Sequence, residues 1–371
     1  MRVVQTLCSE GRVPGAKKFG NSWMLPADAE KPADPRRERR RLGGGRPAYA
    51  LLTASDLPIG NPSRALTGLP EAMRPLAEAD IAFRQGNPQP AIALWRTLPT
   101  ADDRALSAAS LATAAAISTG DYGLFDEIQF FLQDCMRHTD DPRERALLSL
   151  PGTLAAVSMA LPSLTSDWLK ACDFSLFERE LRPFLLFLYA MHLRNIGQHE
   201  AALAVGRTTL ALTEKGASFT WLTVYLGALC ANAAFALGDE AAAKAHLAAA
   251  LALAMPYGMI APFADYLGSL GGLVEAEMAH SYPAYEKPTV ALWSVSFKNW
   301  MGFHNTYARE HITTLLLPRE YHVARLLAGG ATYAEAGRRL HLSPGRVKNI
   351  ASTVYLKLQI GGRQDLGPFI L

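Results

Sequence analysis

The sequence predicts a mainly α protein: an array of paired helices followed by a separate helical segment at the C-terminal end. Three observations carry this. From about Leu69 to His280, one amphipathic helical pattern follows another in an Ala- and Leu-rich chain. Within that stretch a Gly-polar pair recurs at Gly86-Asn87, Gly120-Asp121, Gly197-Gln198 and Gly238-Asp239, with Ala91, Phe125, Ala202 and Ala243 five residues after each glycine. Each glycine lets the chain turn between two helices, and each small or apolar residue lets the second helix pack on the first. From Leu316 onward the pattern changes to three shorter helical periods separated by turn residues.

At the N-terminal end, residues 2–35 read RVVQTLCSEGRVPGAKKFGNSWMLPADAEKPADP. An amphipathic helix through Val4, Leu7 and Cys8 ends at Gly11, and two short apolar runs flank Gly20-Asn21, which predicts a hairpin. Helix followed by basic hairpin resembles the excisionase-like, MerR-related winged helices at Val4, Gln5, Leu7, Cys8, Gly11, Arg12, Pro14, Gly15, Ala16, Lys18, Gly20, Trp23 and Pro26. The resemblance implies a fragment over residues 1–31, with Arg2, Gln5 and Arg12 near a DNA groove and Lys17 and Lys18 on a wing near phosphate. The helix that precedes this unit in the family has no counterpart after Met1. Either it lies upstream, or the unit is a remnant or a plain basic tail. Residues 32–68, with PADPRRERRRLGGG at Pro32 to Gly45, read as a solvated linker whose arginines add nonspecific phosphate affinity.

Residues 69–280 form the predicted array. Gly86 and Gly120 lie 34 residues apart, the tetratricopeptide period, and the segment LYAMHLRNIGQHEAALAVGRTTLAL is the clearest copy. The array therefore resembles tetratricopeptide-like repeats, which implies a surface for an unidentified peptide, protein or small-molecule effector. Thr220 to Gly238 carries no charge over a length that can span a bilayer, but it is Ala- and Gly-rich, contains Asn232 and lacks flanking basic clusters. It is expected as a buried helix, with no membrane partner. Residues 281–315 predict a connecting helix, with Trp293, Phe297, Trp300 and Phe303 as core and not as a ligand box.

The C-terminal run LLPREYHVARLLAGGATYAEAGRRLHLSPGRVKNIASTVYLKLQIGGRQDL begins at Leu316. Pro318 suits a first turn and Glu320 complements it. Val323, Leu326 and Leu327 share one face, and Gly329-Gly330 stops the helix. Thr332 with Glu335 makes a capping box for a second helix. Ser343 caps a third, whose apolar stripe is Val347, Ala351, Val354 and Leu358, with Arg346, Lys348, Asn349, Ser352 and Thr353 opposite. This is a helix-turn-helix pattern. It resembles the LuxR-type DNA-binding domain at Leu316, Arg319, Glu320, Val323, Leu326, Leu327, Gly330, Glu335, Leu340, Ser343, Val347, Lys348, Lys357 and Leu358. The resemblance implies a four-helix domain over residues 316–371 and double-stranded DNA as partner. The residues implied to face DNA are Ser343, Arg346, Lys348, Asn349, Ser352, Thr353 and Lys357. It also implies a homodimer formed through the short helix after Arg363. The chain departs from the family at Leu317, Ala336-Gly337, Arg346 and Ile350; the small residues are expected to weaken core and helix by about 1 kcal/mol each, and Arg346 adds a phosphate or guanine donor. Tyr257 to Gly271 (YGMIAPFADYLGSLG) resembles the segment before that domain in large ATP-dependent LuxR-type regulators.

Charge agrees with this division. Residues 1–50 hold 11 Lys/Arg against 5 Asp/Glu, and residues 317–371 hold 8 against 3, so a chain of net +3 has two basic ends around an acidic middle. Cys8, Cys135, Cys172 and Cys230 are dispersed without C-x-x-C spacing, which points to a cytoplasmic protein without a zinc site or disulfide framework. No signal-peptide pattern is present. No G-x-x-x-x-G-K-[ST], G-x-S-x-G or H-E-x-x-H occurs, and GRVPGAKK has the wrong spacing for a phosphate loop. The expectation is no catalytic residue, no metal and no cofactor. Together these readings predict a transcription regulator, with a repeat-based interaction adaptor carrying degenerate terminal domains as the rival.

Overall fold

The computed structural model describes residues 17–19, 22–24, 26, 57–67, 69–99, 102, 104–213, 216–308 and 316–370, and the chain is mainly helical. Two compact units are distinguished, one of residues 1–46 with 100–103 and one containing the rest. In the first, β1 (Lys17–Phe19) pairs antiparallel with β2 (Ser22–Met24), Lys18 facing Trp23 in register. Lys18 is exposed. Arg2, Gln5 and Arg12 lie outside the described residues.

The second unit opens with β3 (Leu57–Pro58), inside the stretch read as linker. Leu57 is buried, β3 pairs with a later strand, and Tyr257 donates its hydroxyl to the Pro58 carbonyl at 2.6 Å. The chain at 57–67 is thus packed on the array, because an apolar Leu-Pro step finds a partner strand far away in sequence. Helices follow as α1 (Arg74–Arg84), α2 (Gln89–Thr97), α3 (Ala105–Thr119), α4 (Tyr122–Arg137), α5 (Pro142–Leu148), α6 (Leu150–Ser158) and α7 (Asp167–Lys170). Then come α8 (Arg182–Asn195), α9 (His199–Thr213), β4 (Ser218–Phe219), α10 (Trp221–Ala236), α11 (Glu240–Ala254), α12 (Ala261–Leu267), α13 (Leu273–Ser281) and α14 (Pro283–Ala308).

The four Gly-polar pairs all form the same joint. Gly86, Gly120, Gly197 and Gly238 have φ of +89°, +76°, +77° and +82°. At each, the next residue's N–H reaches back five positions: Asn87 to Ala82, Asp121 to Ala116, Gln198 to Leu193 and Asp239 to Ala234. These bonds satisfy the orphan carbonyls at a helix end. Asp121 and Asp239 then accept the N–H of Leu124 and Ala242, capping the next helix. Ala91, Phe125, Ala202 and Ala243 are all buried.

Small residues set the spacing inside the array. A Cβ on Gly206 of α9 would lie 2.7 Å from the Cys230 sulfur of α10, and one on Gly227 would lie 2.8 Å from the Ala250 Cβ of α11. The uncharged α10 is consequently enclosed, and Asn232 donates to the Ser269 carbonyl at 3.3 Å. Among the described residues no helix is long and apolar enough to cross a membrane. Arg84 links three helices: it pairs with Asp80 at 2.8 Å, lies over Trp221 at 4.3 Å, and donates to the Tyr225 hydroxyl, which in turn donates to Asp265.

The long helix α14 stands where the sequence predicts a connecting helix. Its polar side chains close the ends of other helices: Asn299 donates to the Ser118 carbonyl, Trp300 to that of Ser158, and His304 bonds that of Met159. Trp293 and Phe303 are buried, while Phe297 and Trp300 are half-buried. Phe297 packs against Tyr321 of the following segment at 4.9 Å. The aromatic stripe therefore serves both as core of the array and as the bed for the C-terminal helices.

Candidate nucleic-acid interface

The C-terminal segment contains α15 (Pro318–Ala328), α16 (Tyr333–Arg339) and α17 (Pro344–Leu358). Glu320 accepts the N–H of Leu317 at 2.7 Å, so the departure from a capping threonine leaves half of the cap in place. The α15 helix ends where Gly330 adopts φ +95° and the Ala331 N–H bonds the Leu326 carbonyl. Thr332 and Glu335 form the reciprocal box: the Glu335 N–H donates to the threonine oxygen at 3.2 Å, and the Thr332 N–H donates to the carboxylate at 2.7 Å. Those bonds hold the Glu335 carboxyl below the ordinary range.

The turn between α16 and α17 explains Gly337. The Leu342 N–H bonds the Gly337 carbonyl at 2.8 Å, His341 takes φ +52°, and a Cβ on Gly337 would lie 2.6 Å from the Leu342 carbonyl oxygen. The glycine read from sequence as a weakness is required by the return of the chain across the helix. Ser343 then accepts the Arg346 N–H at 3.2 Å and starts α17.

Val347, Ala351, Val354 and Leu358 are buried against Tyr321, Val323, Ala324, Leu326, Leu327 and Ala336, with Met301 of α14 completing the cluster. With 100° between successive residues, burying that stripe turns Asn349 and Leu356 directly outward, with Ser352 and Thr353 to either side of them and Arg346 and Lys348 on the flanks. Arg346, Lys348, Asn349, Ser352 and Thr353 are all exposed. Neither Arg346 nor Lys348 is paired with a carboxylate among the described residues. The Ser352 and Thr353 hydroxyls donate to the carbonyls of Lys348 and Asn349, which leaves their oxygens outward as acceptors.

Two residues differ from the sequence reading. Lys357 points into the segment, its ammonium 2.6 Å from a Glu320 carboxylate oxygen, so it ties α17 to α15. Leu356, passed over because leucine reads as core, is 80% exposed in the middle of the outward face. Its position seven residues after Asn349 is the signal that finds it. The expected fourth helix is also different. Arg363–Asp365 and Gly367–Phe369 are 3-10 turns, held by the buried Leu366, because Gly361, Gly362, Gly367 and Pro368 do not sustain an α-helix.

The segment is packed onto the array. Gly272, at φ +89°, lies so close to α16 that a Cβ there would fall 1.4 Å from the Arg339 carbonyl oxygen. The Arg339 guanidinium lies over the Phe235 ring at 5.3 Å, and His322 packs on Trp293 with ring centroids 5.4 Å apart. These contacts use α15 and the end of α16, and the outward face of α17 stays open. Among the described residues no group of His, Cys, Asp or Glu is placed to hold a metal. No family model matches the chain, and no curated protein or solved structure matches it.

Proposed function

We propose that this chain is a DNA-binding transcription regulator in which a tetratricopeptide-like array positions a C-terminal helix-turn-helix of LuxR type. The observation that carries the reading is the outward face of α17. Two cations without acidic partners, Arg346 and Lys348, flank an amide and two hydroxyl oxygens on a helix entered by a tight, capped turn. Such a face offers phosphate contacts from its cations and hydrogen bonds to base edges from Asn349, the geometry with which a recognition helix enters a major groove. Arg339 is engaged by the array, which assigns nonspecific contact to other residues of the segment. The basic β1–β2 hairpin, with Lys18 exposed, is proposed as an accessory phosphate contact.

Selection of bound fragments from a genomic library by the full chain tests this. Recovered fragments should share a sequence, and Asn349→Ala should blur that preference by about 1–3 kcal/mol at one base pair. Recovery of random fragments by both proteins would remove the specific-regulator reading. An exposed Leu356 in the same face is the one observation favouring a protein partner instead. Absence of fragment binding by the parent would favour that rival.

A further inference from the structure

A cavity of about 400 Å³ opens between α9, α10, α11 and the β3–β4 pair. Its walls include Ile59, Leu210, Phe219 and Leu253, and Gly227 and Ala250 stand where α10 meets α11. A Cβ on Gly227 would already lie 2.8 Å from the Ala250 Cβ, so these helices bring no large side chain to that contact. On the strand side, the Phe219 ring meets Tyr257 edge-on at 5.4 Å, and the Ile59 N–H donates to the Ala217 carbonyl at 3.0 Å. These contacts fix the wall in place. Ile59 is nonetheless 49% exposed, a large apolar side chain facing a space that nothing in the chain fills.

The cavity has a polar end where α9 and α11 are tied together. On α9, Leu210 and Thr213 line the space, and Arg207 continues their face one turn earlier. On α11, His246 begins the line that continues through Ala249, Ala250 and Leu253. Arg207 Nε donates to His246 Nε2 at 3.1 Å, bridging the two helices. The accepting ring nitrogen is unprotonated, and burial, then the Arg207 charge, hold His246 below its ordinary value against an opposing pull from Asp239. The guanidinium thus has a neutral partner. Among the described residues its two Nη atoms make no hydrogen bond, and no carboxylate stands at ion-pair distance. The Asp239 carboxylate is engaged in capping α11 through the Ala242 N–H.

Preformed clefts of roughly 300–1,000 Å³ with mainly apolar walls and a few convergent polar groups are the usual form of a small-molecule site. Apolar walls favour a hydrocarbon body, and the paired N–H groups of a guanidinium match a carboxylate in spacing and plane. We propose that this cavity binds a small monocarboxylate with an apolar body. Its body lies among Ile59, Leu210, Phe219 and Leu253, and its carboxylate meets the Arg207 guanidinium that His246 holds. The site lies wholly within the array and does not rest on the DNA-binding reading.

Calorimetry and thermal melting of the full chain at constant ionic strength test the site. Three probes separate its two parts: octanoate carries both, 1-octanol only the apolar body, and acetate only the head. Octanoate should bind saturably and raise the melting midpoint, with 1-octanol roughly tenfold weaker or more and acetate without effect. Arg207→Gln should bring octanoate down to the level of 1-octanol. Ala249→Trp, which places an indole on the cavity lining, should abolish binding of both, and Ala248→Trp, on the same helix but off the lining, should leave it unchanged. Arg207, Ala248 and Ala249 are all exposed, so these changes leave the core intact. Absence of saturable octanoate binding to the parent would overturn the site, as would octanoate binding unchanged in Ala249→Trp. Equal binding of octanoate and 1-octanol by the parent, or octanoate binding unchanged in Arg207→Gln, would overturn the carboxylate assignment and with it the proposal.

Discussion

Gly272 and His322 mark the residues on which the seat of the C-terminal segment depends. Gly272→Ala adds a methyl group where the Arg339 carbonyl already lies, at a φ of +89° that L-residues rarely adopt. We expect a loss of about 3 kcal/mol or more in urea unfolding, with the segment cleaved sooner in limited proteolysis. His322 is pushed down to about 3 by burial, then by Arg325 and Arg319, and Glu275 is pushed up to about 7 by burial, 4.0 Å away. As pH falls below 6.5 the unfolded chain protonates this histidine and the folded one does not, so its contribution to stability is lost towards pH 3. Glu275 acts oppositely between 4.5 and about 7, where the folded state holds the extra proton. Only the histidine operates below pH 4.5, so His322→Gln should flatten the acid limb by about 2 kcal/mol relative to the parent. An identical acid limb in both proteins would refute that assignment. Thr332, Glu335 and Ser343 were legible because a cap is a local pattern. The Lys357–Glu320 pair was not, since it joins positions far apart in sequence through the way α17 crosses α15.

At the scale of elements, helix joints were the most readable feature. A glycine, a polar residue and a buried residue at fixed offsets describe a left-handed helix end, a cap and a close contact, and all four instances adopt that form. Gly238→Ala meets no neighbour within 4 Å, so only backbone strain acts, and a loss of about 1 kcal/mol is expected in thermal melting. The stripe of α17 was readable for the same reason, period and burial agreeing at every position. What escaped was non-local. The β3–β4 pairing needs two residues on each side, too few to leave an alternation pattern. The fourth helix was carried over by resemblance, and the glycines and proline of this chain override it. Leu356 shows the limit of reading leucine as core: its place on the wheel, and not its apolarity, decides its exposure.

Across the whole molecule, the acidic middle and basic C-terminal end correspond to a helical array bearing an open basic face at its C-terminal segment, with the seam between them built from aromatics, a close glycine contact and a guanidinium stacked on a ring. The proposed function requires that face to meet a duplex. The most direct measurement is the DNA affinity of the full chain as a function of salt, for the parent and for Arg346→Ala and Lys348→Ala. For DNA binding through that face, the logarithm of affinity falls linearly with the logarithm of salt concentration, and each substitution weakens binding and makes the slope shallower by about one unit. Affinity and slope unchanged by both substitutions would contradict it.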